Sequence, residues 1–233
     1  MKTEHSFKLV AALILTGVFI ALFSTARAAE TTKPKRTKAR SGTYQSSNGN
    51  SGTVNSTVTR GGGETARNSS VTNQDGKTAT RALDRTVDKA TGTGTVTASS
   101  TGFNGATTSR QGTLVKNADG SVTGQGTITG PKGQTSTYAE TTTKTADGRS
   151  TTGTITNANG QTATINKEVT KTGPGQVSSE TTVTGPNGKT LEKVVATKVN
   201  PDGTGTRVVE VTKPDGTTET RTETFTVTPA PKA

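Results

Sequence analysis

The amino-acid sequence predicts an all-β protein, an antiparallel meander of hairpin repeats about 28 residues long, on three observations. First, glycines recur at a fixed period: Gly76, Gly105, Gly133, Gly160, Gly188 and Gly216 lie 27 to 29 residues apart, with Gly92, Gly120, Gly148, Gly175 and Gly203 interleaved. Second, three further columns stay in phase with the first set. Four before each glycine stands Thr72, Thr101, Thr129, Thr156, Thr184 or Thr212, and two after it stands Thr78, Thr107, Thr135, Thr162, Thr190 or Thr218. Five before it stands Val71, Ser100, Ile128, Ile155, Val183 or Val211, apolar and β-branched in all copies but one. Third, the runs between turns alternate hydroxyl and apolar side chains, as in Thr181-Thr-Val-Thr184 and Thr224-Phe-Thr-Val-Thr228. Fixed-period self-similarity marks a repeat architecture, and a period of two in β-branched residues marks strands.

The turns carry their own chemistry. Asn117-Ala-Asp-Gly120, Thr145-Ala-Asp-Gly148, Asn157-Ala-Asn-Gly160, Asn200-Pro-Asp-Gly203 and Lys213-Pro-Asp-Gly216 end in Asp-Gly or Asn-Gly, which accept positive φ in tight hairpins. Gly130-Pro-Lys-Gly133 and Gly185-Pro-Asn-Gly188 place proline where φ near −65° is wanted. The expected strands, roughly a dozen, form either an open sheet or one wound on itself. A β-solenoid with one unit per coil is the alternative, and hairpin turn chemistry favours the meander. Apolar residues gather in the last copies, from Leu191 to Val227, which predicts the most stable part there.

Residues 1–28 have the layout of a secretory signal peptide: Lys2 and Lys8, an apolar run from Leu9 to Phe23, and Ala26-Arg27-Ala28, with cleavage expected between Ala28 and Ala29. The destination is then the periplasm, the cell surface or the medium; the alternative is a membrane anchor formed by an uncleaved 7–23 segment. Residues 29–41 read as a basic, disordered arm in which Lys33, Lys35, Arg36, Lys38 and Arg40 could tether the chain to an anionic surface. The Thr/Gly-rich repeat region spans 42–228, with 42–75 degenerate and expected to be least ordered, and 229–233 is a tail. Leu83 to Lys89 has a faint helical pattern where a strand is due.

Composition sets exclusions. Val, Ile, Leu, Phe and Tyr number 27 in residues 29–233 and tryptophan is absent, so a conventional core cannot carry the fold, and backbone pairing and threonine packing must contribute. Net charge is +11, and +9 without residues 1–28, which favours anionic partners such as acidic polysaccharide, extracellular DNA or lipid headgroups. With few aromatic residues to stack on bases, sequence-specific nucleic-acid binding is not expected. Cysteine is absent and the one histidine, His5, precedes the apolar run, which removes the commonest general base, the thiolate nucleophile and the nitrogen and sulfur ligands of zinc. No catalytic residue, cofactor, metal site or specific small-molecule ligand is expected. The turn aspartates Asp75, Asp119, Asp147, Asp202 and Asp215 are each the one carboxylate of their turn, which suits turn formation better than calcium, a cation wanting six or more oxygens. Thr-x-Thr arrays suit β-propensity and hydration better than ice binding.

The segment TTVTGPNGKT, with its echoes TITGPKGQT, TITNANGQT and VTKPDGTT, resembles uncharacterised exported bacterial proteins built from threonine-rich TGPNGxT repeats. It is more distantly similar to the glycine-punctuated repeats of large secreted surface and toxin proteins, without the tyrosines of the tyrosine-aspartate pattern. The resemblance implies export and surface or periplasmic life, and brings no catalytic residue. The expected role is that of a non-enzymatic structural or adhesive repeat protein, self-associating through open sheet edges. The alternatives are a polyanion-binding module and a disordered basic spacer.

Overall fold

The structure, a computed structural model, describes residues 35–229. It is all-β, with fourteen strands: β1 (Arg36–Ser46), β2 (Ser51–Gly61), β3 (Glu64–Asn73), β4 (Thr78–Val87), β5 (Thr93–Thr101), β6 (Thr107–Lys116) and β7 (Val122–Thr129). These continue as β8 (Thr135–Lys144), β9 (Gly148–Asn157), β10 (Thr162–Gly173), β11 (Gln176–Thr184), β12 (Thr190–Val199), β13 (Thr204–Thr212) and β14 (Thr218–Pro229). Every strand pairs antiparallel with its neighbours in sequence, and β1 pairs with β14, so the meander closes into a barrel.

Closure is the main difference from an open sheet. The last strand meets the first over nine residue pairs, from Lys38↔Pro229 to Ser46↔Arg221, which satisfies the two rows of backbone groups an open meander leaves bare. Association through open edges therefore finds no unpaired edge strand among the described residues. The solenoid alternative fails on the same evidence, because neighbouring strands run antiparallel through hairpins. The segment expected to be least ordered forms the regular strands β1, β2 and β3. The expected disordered arm becomes strand at Arg36, so Arg36, Lys38 and Arg40 lie in β1; Lys33 and the Ala28/Ala29 junction lie outside the described residues. A run of serine, threonine and asparagine suffices there because pairing on both sides supplies the ordering that apolar burial does not. The faintly helical Leu83–Lys89 falls largely within β4.

The hairpin geometry explains the repeat columns. The first glycine set, with Gly49, marks the turns at one mouth of the barrel, and the second set marks those at the other, where β1 begins and β14 ends. At the first mouth the glycine takes φ near +75° to +84° and its N–H donates to the carbonyl three residues back, as Gly76 to Asn73, while Asn73 N–H donates to Lys77 O. This is a type I turn followed by a left-handed glycine, a hairpin loop different from the two-residue type. The two threonine columns are cross-strand partners flanking that turn: Thr72↔Thr78, Thr101↔Thr107, Thr129↔Thr135, Thr156↔Thr162, Thr184↔Thr190 and Thr212↔Thr218. Five of the six pairs share a hydroxyl–hydroxyl hydrogen bond of 2.9 to 3.5 Å. The apolar column points inward beneath the same turn, and Ile128, Ile155, Val183 and Val211 are buried. Gly148 departs from its column. It begins β9 without positive φ, and a Cβ there would overlap the carbonyl of Val169 on β10, so this glycine serves close strand approach.

The pleat sorts the side chains by face. Outward positions are mostly threonine: Thr218, Thr220, Thr222, Thr224, Thr226 and Thr228 alternate along β14, and the ladder Thr206–Thr224–Thr43–Thr53–Thr72–Thr78 crosses six strands. This hydroxyl coat stands where a lipid-facing barrel carries an apolar band. Inside, Ile128, Tyr138, Ile155, Ala163, Ile165, Val183, Leu191, Val209 and Val211 form one cluster across β7–β13, and Leu83, Val96 and Leu114 form a second across β4–β6.

Candidate functional site

Inward positions hold cations as well as aliphatics. Counting alternate residues from each buried apolar anchor places Arg40 (with Tyr44), Arg81 and Arg85 (with Leu83), Arg110 (with Leu114), Arg149 (with Ile155), Lys167 (with Ile165), Lys193 (with Leu191), Arg207 (with Val209) and Arg221 (with Phe225) on the interior face. Arg67 joins them through its register with Leu83. The inward carboxylates near them are Glu140 and Glu223.

Two compact groups absorb those carboxylates. Glu223, 1% exposed, meets Arg221 at 2.6 Å, Arg207 at 3.3 Å and Arg40 at 3.3 Å. Burial alone would raise its carboxyl, but Arg207, Arg221 and Arg40 hold it below the usual range. The guanidinium of Arg40 lies 4.8 Å from the centre of the Phe225 ring, and that of Arg221 lies 5.3 Å from Tyr44. Across the ring, Arg110 meets Glu140 at 2.6 Å and stacks 3.7 Å over Tyr138. Burial opposes the Arg110 charge, yet Glu140 and Tyr138 outweigh it and its pKa is raised. Both groups sit against glycines where the wall comes close: a Cβ at Gly42 would overlap Thr224 O, and one at Gly126 would overlap Gln111 O. Outside the second group lies a depression of about 750 Å³ lined by Thr123, Thr141, Thr152 and Thr154, where the inward positions flanking Glu140 are Gly124 and Gly153.

The remaining interior cations, Arg67, Arg81, Arg85, Arg149, Lys167 and Lys193, form a third group. Arg67, Arg149 and Lys167 have no carboxylate in ion-pair range among the described residues, and Nε of Arg67 and Nη2 of Arg149 have no hydrogen-bond partner. Burial, with the charges of Arg149, Arg81 and Arg67 against a pull from Glu140, lowers the Lys167 ammonium to about 7. Burial, with Arg207, Arg81, Arg221 and Lys167, lowers Lys193 to about 7 as well. These influences cross from β10 and β12 to β3 and β4, so the charges share one interior. Burial also works against the Arg67 and Arg81 guanidiniums, which nevertheless keep their protons. Lys167, Lys193, Arg67 and Arg81 are half-buried, unlike Val183 at 0% exposed, so water reaches this level of the interior.

The mouth where β1 begins and β14 ends extends the same sign. The last inward positions of β1, β2, β6, β8 and β10 are Arg36 and Lys38, Arg60, Lys116, Lys144 and Lys171, all exposed. The proposed tether residues thus divide. Lys35 pairs with Glu64 at 2.6 Å, Arg36 and Lys38 belong to the rim, and Arg40 goes inside to Glu223.

The turn aspartates have local work. Asp119, Asp202 and Asp215 accept from the hydroxyl and N–H two residues on, at 2.6 to 2.9 Å, and these bonds lower their pKa values. Among the described residues no group of three or more histidine, cysteine, aspartate or glutamate side chains could hold a metal ion. Sequence reasoning missed the interior cations because a charge in an exported, hydroxyl-rich strand reads as solvent-facing. The signal was present, since each shares the parity of an apolar anchor. Comparison of the chain with protein families, curated proteins and solved structures gives no match.

Proposed function

We propose that this chain is an exported, non-enzymatic binding protein that takes anionic ligands at its basic mouth and interior. One observation carries the reading: Arg67, Arg149 and Lys167 lie inside a barrel wall where the nearby inward carboxylates, Glu140 and Glu223, are engaged by other arginines. Gathering uncompensated cations in a partly desolvated space is costly, and an anion offsets that cost. The rim of Arg36, Lys38, Arg60, Lys116, Lys144 and Lys171 raises the local anion concentration at the entrance. The signal-like residues 1–28 support export, and the hydroxyl coat supports a barrel surrounded by water. A structural or adhesive role would use the outer threonine face, since ring closure pairs the strand edges.

Binding of inorganic polyphosphate to the mature chain, followed by fluorescence anisotropy across a salt series, tests this. Affinity should fall linearly in log–log form as salt rises. The triple variant Lys116→Gln/Lys144→Gln/Lys171→Gln should lower that slope by roughly 2 to 3. Absence of binding at low salt, or binding indifferent to salt, would refute the proposal.

A further inference from the structure

Within the third cation group, one ladder row has a composition of its own. The register Thr142↔Thr151↔Lys167↔Thr181↔Lys193 runs across β8 to β12 on the inward face. Paired residues in such a ladder lie about 4.5–5.5 Å apart at Cα, so threonine and lysine positions alternate from Thr151 to Lys193. Thr142, Thr151 and Thr181 are buried, and the Thr142 and Thr151 hydroxyls share a hydrogen bond of 2.8 Å. Along its Lys167–Thr181–Lys193 part the row is flanked by the aliphatics Ile165, Val183 and Leu191 one inward position toward the first mouth, and by Val169, Ser179 and Val195 one position toward the other. Arg67 and Arg81 face it from the opposite wall, close enough for their charges to reach Lys167 and, for Arg81, Lys193.

We infer that this row is a site for a compact, multiply charged oxyanion of phosphate or diphosphate type, held by Lys167 and Lys193, by the Thr181 and Thr151 hydroxyls between and beside them, and by Arg67 and Arg81 opposite. The inference deepens the anion-binding reading and rests on it. Ammonium, hydroxyl and guanidinium donors converging from two walls suit an anion with several equivalent oxygens, each accepting a short charge-assisted hydrogen bond. The buried aliphatics Ile165, Val183 and Leu191 close the row on the first-mouth side, which is why the occupant is compact. It also follows that binding is linked to protons. The groups facing Lys167 are Arg149, Arg81, Arg67 and Glu140, and those facing Lys193 are Arg207, Arg81, Arg221 and Lys167. Without a bound anion, burial together with this surplus of positive charge drives the lysines toward the neutral amine. A bound oxyanion reverses the balance and each lysine takes up a proton.

The test is calorimetric titration of the mature chain with inorganic pyrophosphate at pH 8 and low ionic strength, in two buffers of different ionisation enthalpy. The wild-type protein should bind at one site with net proton uptake. Lys167→Met/Lys193→Met, which replaces two half-buried amines by apolar side chains and should melt no lower than wild type, should weaken binding at least tenfold. Lys167→Arg/Lys193→Arg keeps the charges but has no proton to gain, so it should retain binding and lose the additional proton uptake. Undiminished pyrophosphate affinity in the methionine variant, or equal proton uptake in the arginine variant, would overturn the inference. If pyrophosphate fails to bind while polyphosphate still does, this site is wrong and the broader reading stands; if neither binds, both fall.

Discussion

The two arcs of the barrel are held in different ways. From β7 to β13 the inward face carries the large aliphatic cluster, with Ile128, Val183 and Leu191 at 2%, 0% and 1% exposure. From β14 through β1 to β4 the same ladder positions carry Arg221, Arg40, Arg67, Arg81 and Arg85, and the most buried charged side chain there is Glu223. The backbone ladder is continuous through both, so one hydrogen-bonding scheme supports two interiors. In the first arc, removal of apolar surface from water adds to the ladder. In the second, Tyr44, Val54, Leu83 and Phe225 are buried among half-buried arginines, and Glu223 gathers three guanidiniums. The division is crossed at one level, where Lys167 and Lys193 on β10 and β12 of the aliphatic arc face Arg67 and Arg81 of the other.

The largest expected effect breaks the second arc. Glu223→Gln leaves Arg40, Arg207 and Arg221 without their shared carboxylate, and loss of one partner from a buried ion group costs about 3–5 kcal/mol. Thermal and urea melts should show that loss, and a change below about 1 kcal/mol would mean the cluster contributes little. Leu191→Ala breaks the first arc by opening a cavity, with an expected cost of about 3 kcal/mol by denaturant unfolding. Leu83→Ala in the smaller cluster should cost less, since its neighbours can relax, and equal losses would erase the distinction between the two clusters.

Lys167 and Lys193 sharpen the comparison through pH. Their folded-state values near 7 lie below the ordinary lysine value of about 10.4, so between those limits the unfolded chain binds more protons. Stability should therefore rise as pH increases from about 7 toward 10, and this dependence should level off below about 7, where both states hold the protons. Melting temperatures over that range, compared with the Lys167→Met/Lys193→Met variant, should show a slope in wild type that flattens in the variant. The smallest effect belongs to the coat. Thr212→Ala removes one of the hydroxyl pairs flanking a turn, Thr212 to Thr218 at 3.1 Å, and should cost about 0.5 kcal/mol in either arc.

Much of this architecture was legible in the chain. Each invariant threonine column has a counterpart in space, because residues four before and two after a turn glycine become cross-strand partners once the turn forms. The apolar column is legible for the same reason: one step from an outward threonine, the pleat turns a side chain inward. Closure was not legible, since nothing local in Ser41 or Thr226 distinguishes strands that pair with each other from strands left as edges. The interior site was only partly so. Arg40 was singled out among the basic residues of 29–41 and proves to face Glu223, 183 positions away in sequence. Lys167 and Lys193 share the parity of Ile165 and Leu191, but that parity becomes a site only when β3 and β4 stand opposite, which is a property of the ring.

Ring closure is the central claim, because it removes the sheet edges and creates the interior. Thr43 on β1 and Thr224 on β14 are register partners with their hydroxyl oxygens 3.2 Å apart on the outer face. The chain has no cysteine, so Thr43→Cys/Thr224→Cys introduces a single possible intramolecular disulfide. Mild oxidation at micromolar concentration, followed by non-reducing electrophoresis and size-exclusion chromatography, reads the result. The closed barrel predicts rapid, near-complete formation of the intramolecular bond in a monomer, with a higher melting temperature. Persistent free thiols, or bonds only between chains, would show that β1 and β14 do not meet and would contradict the account.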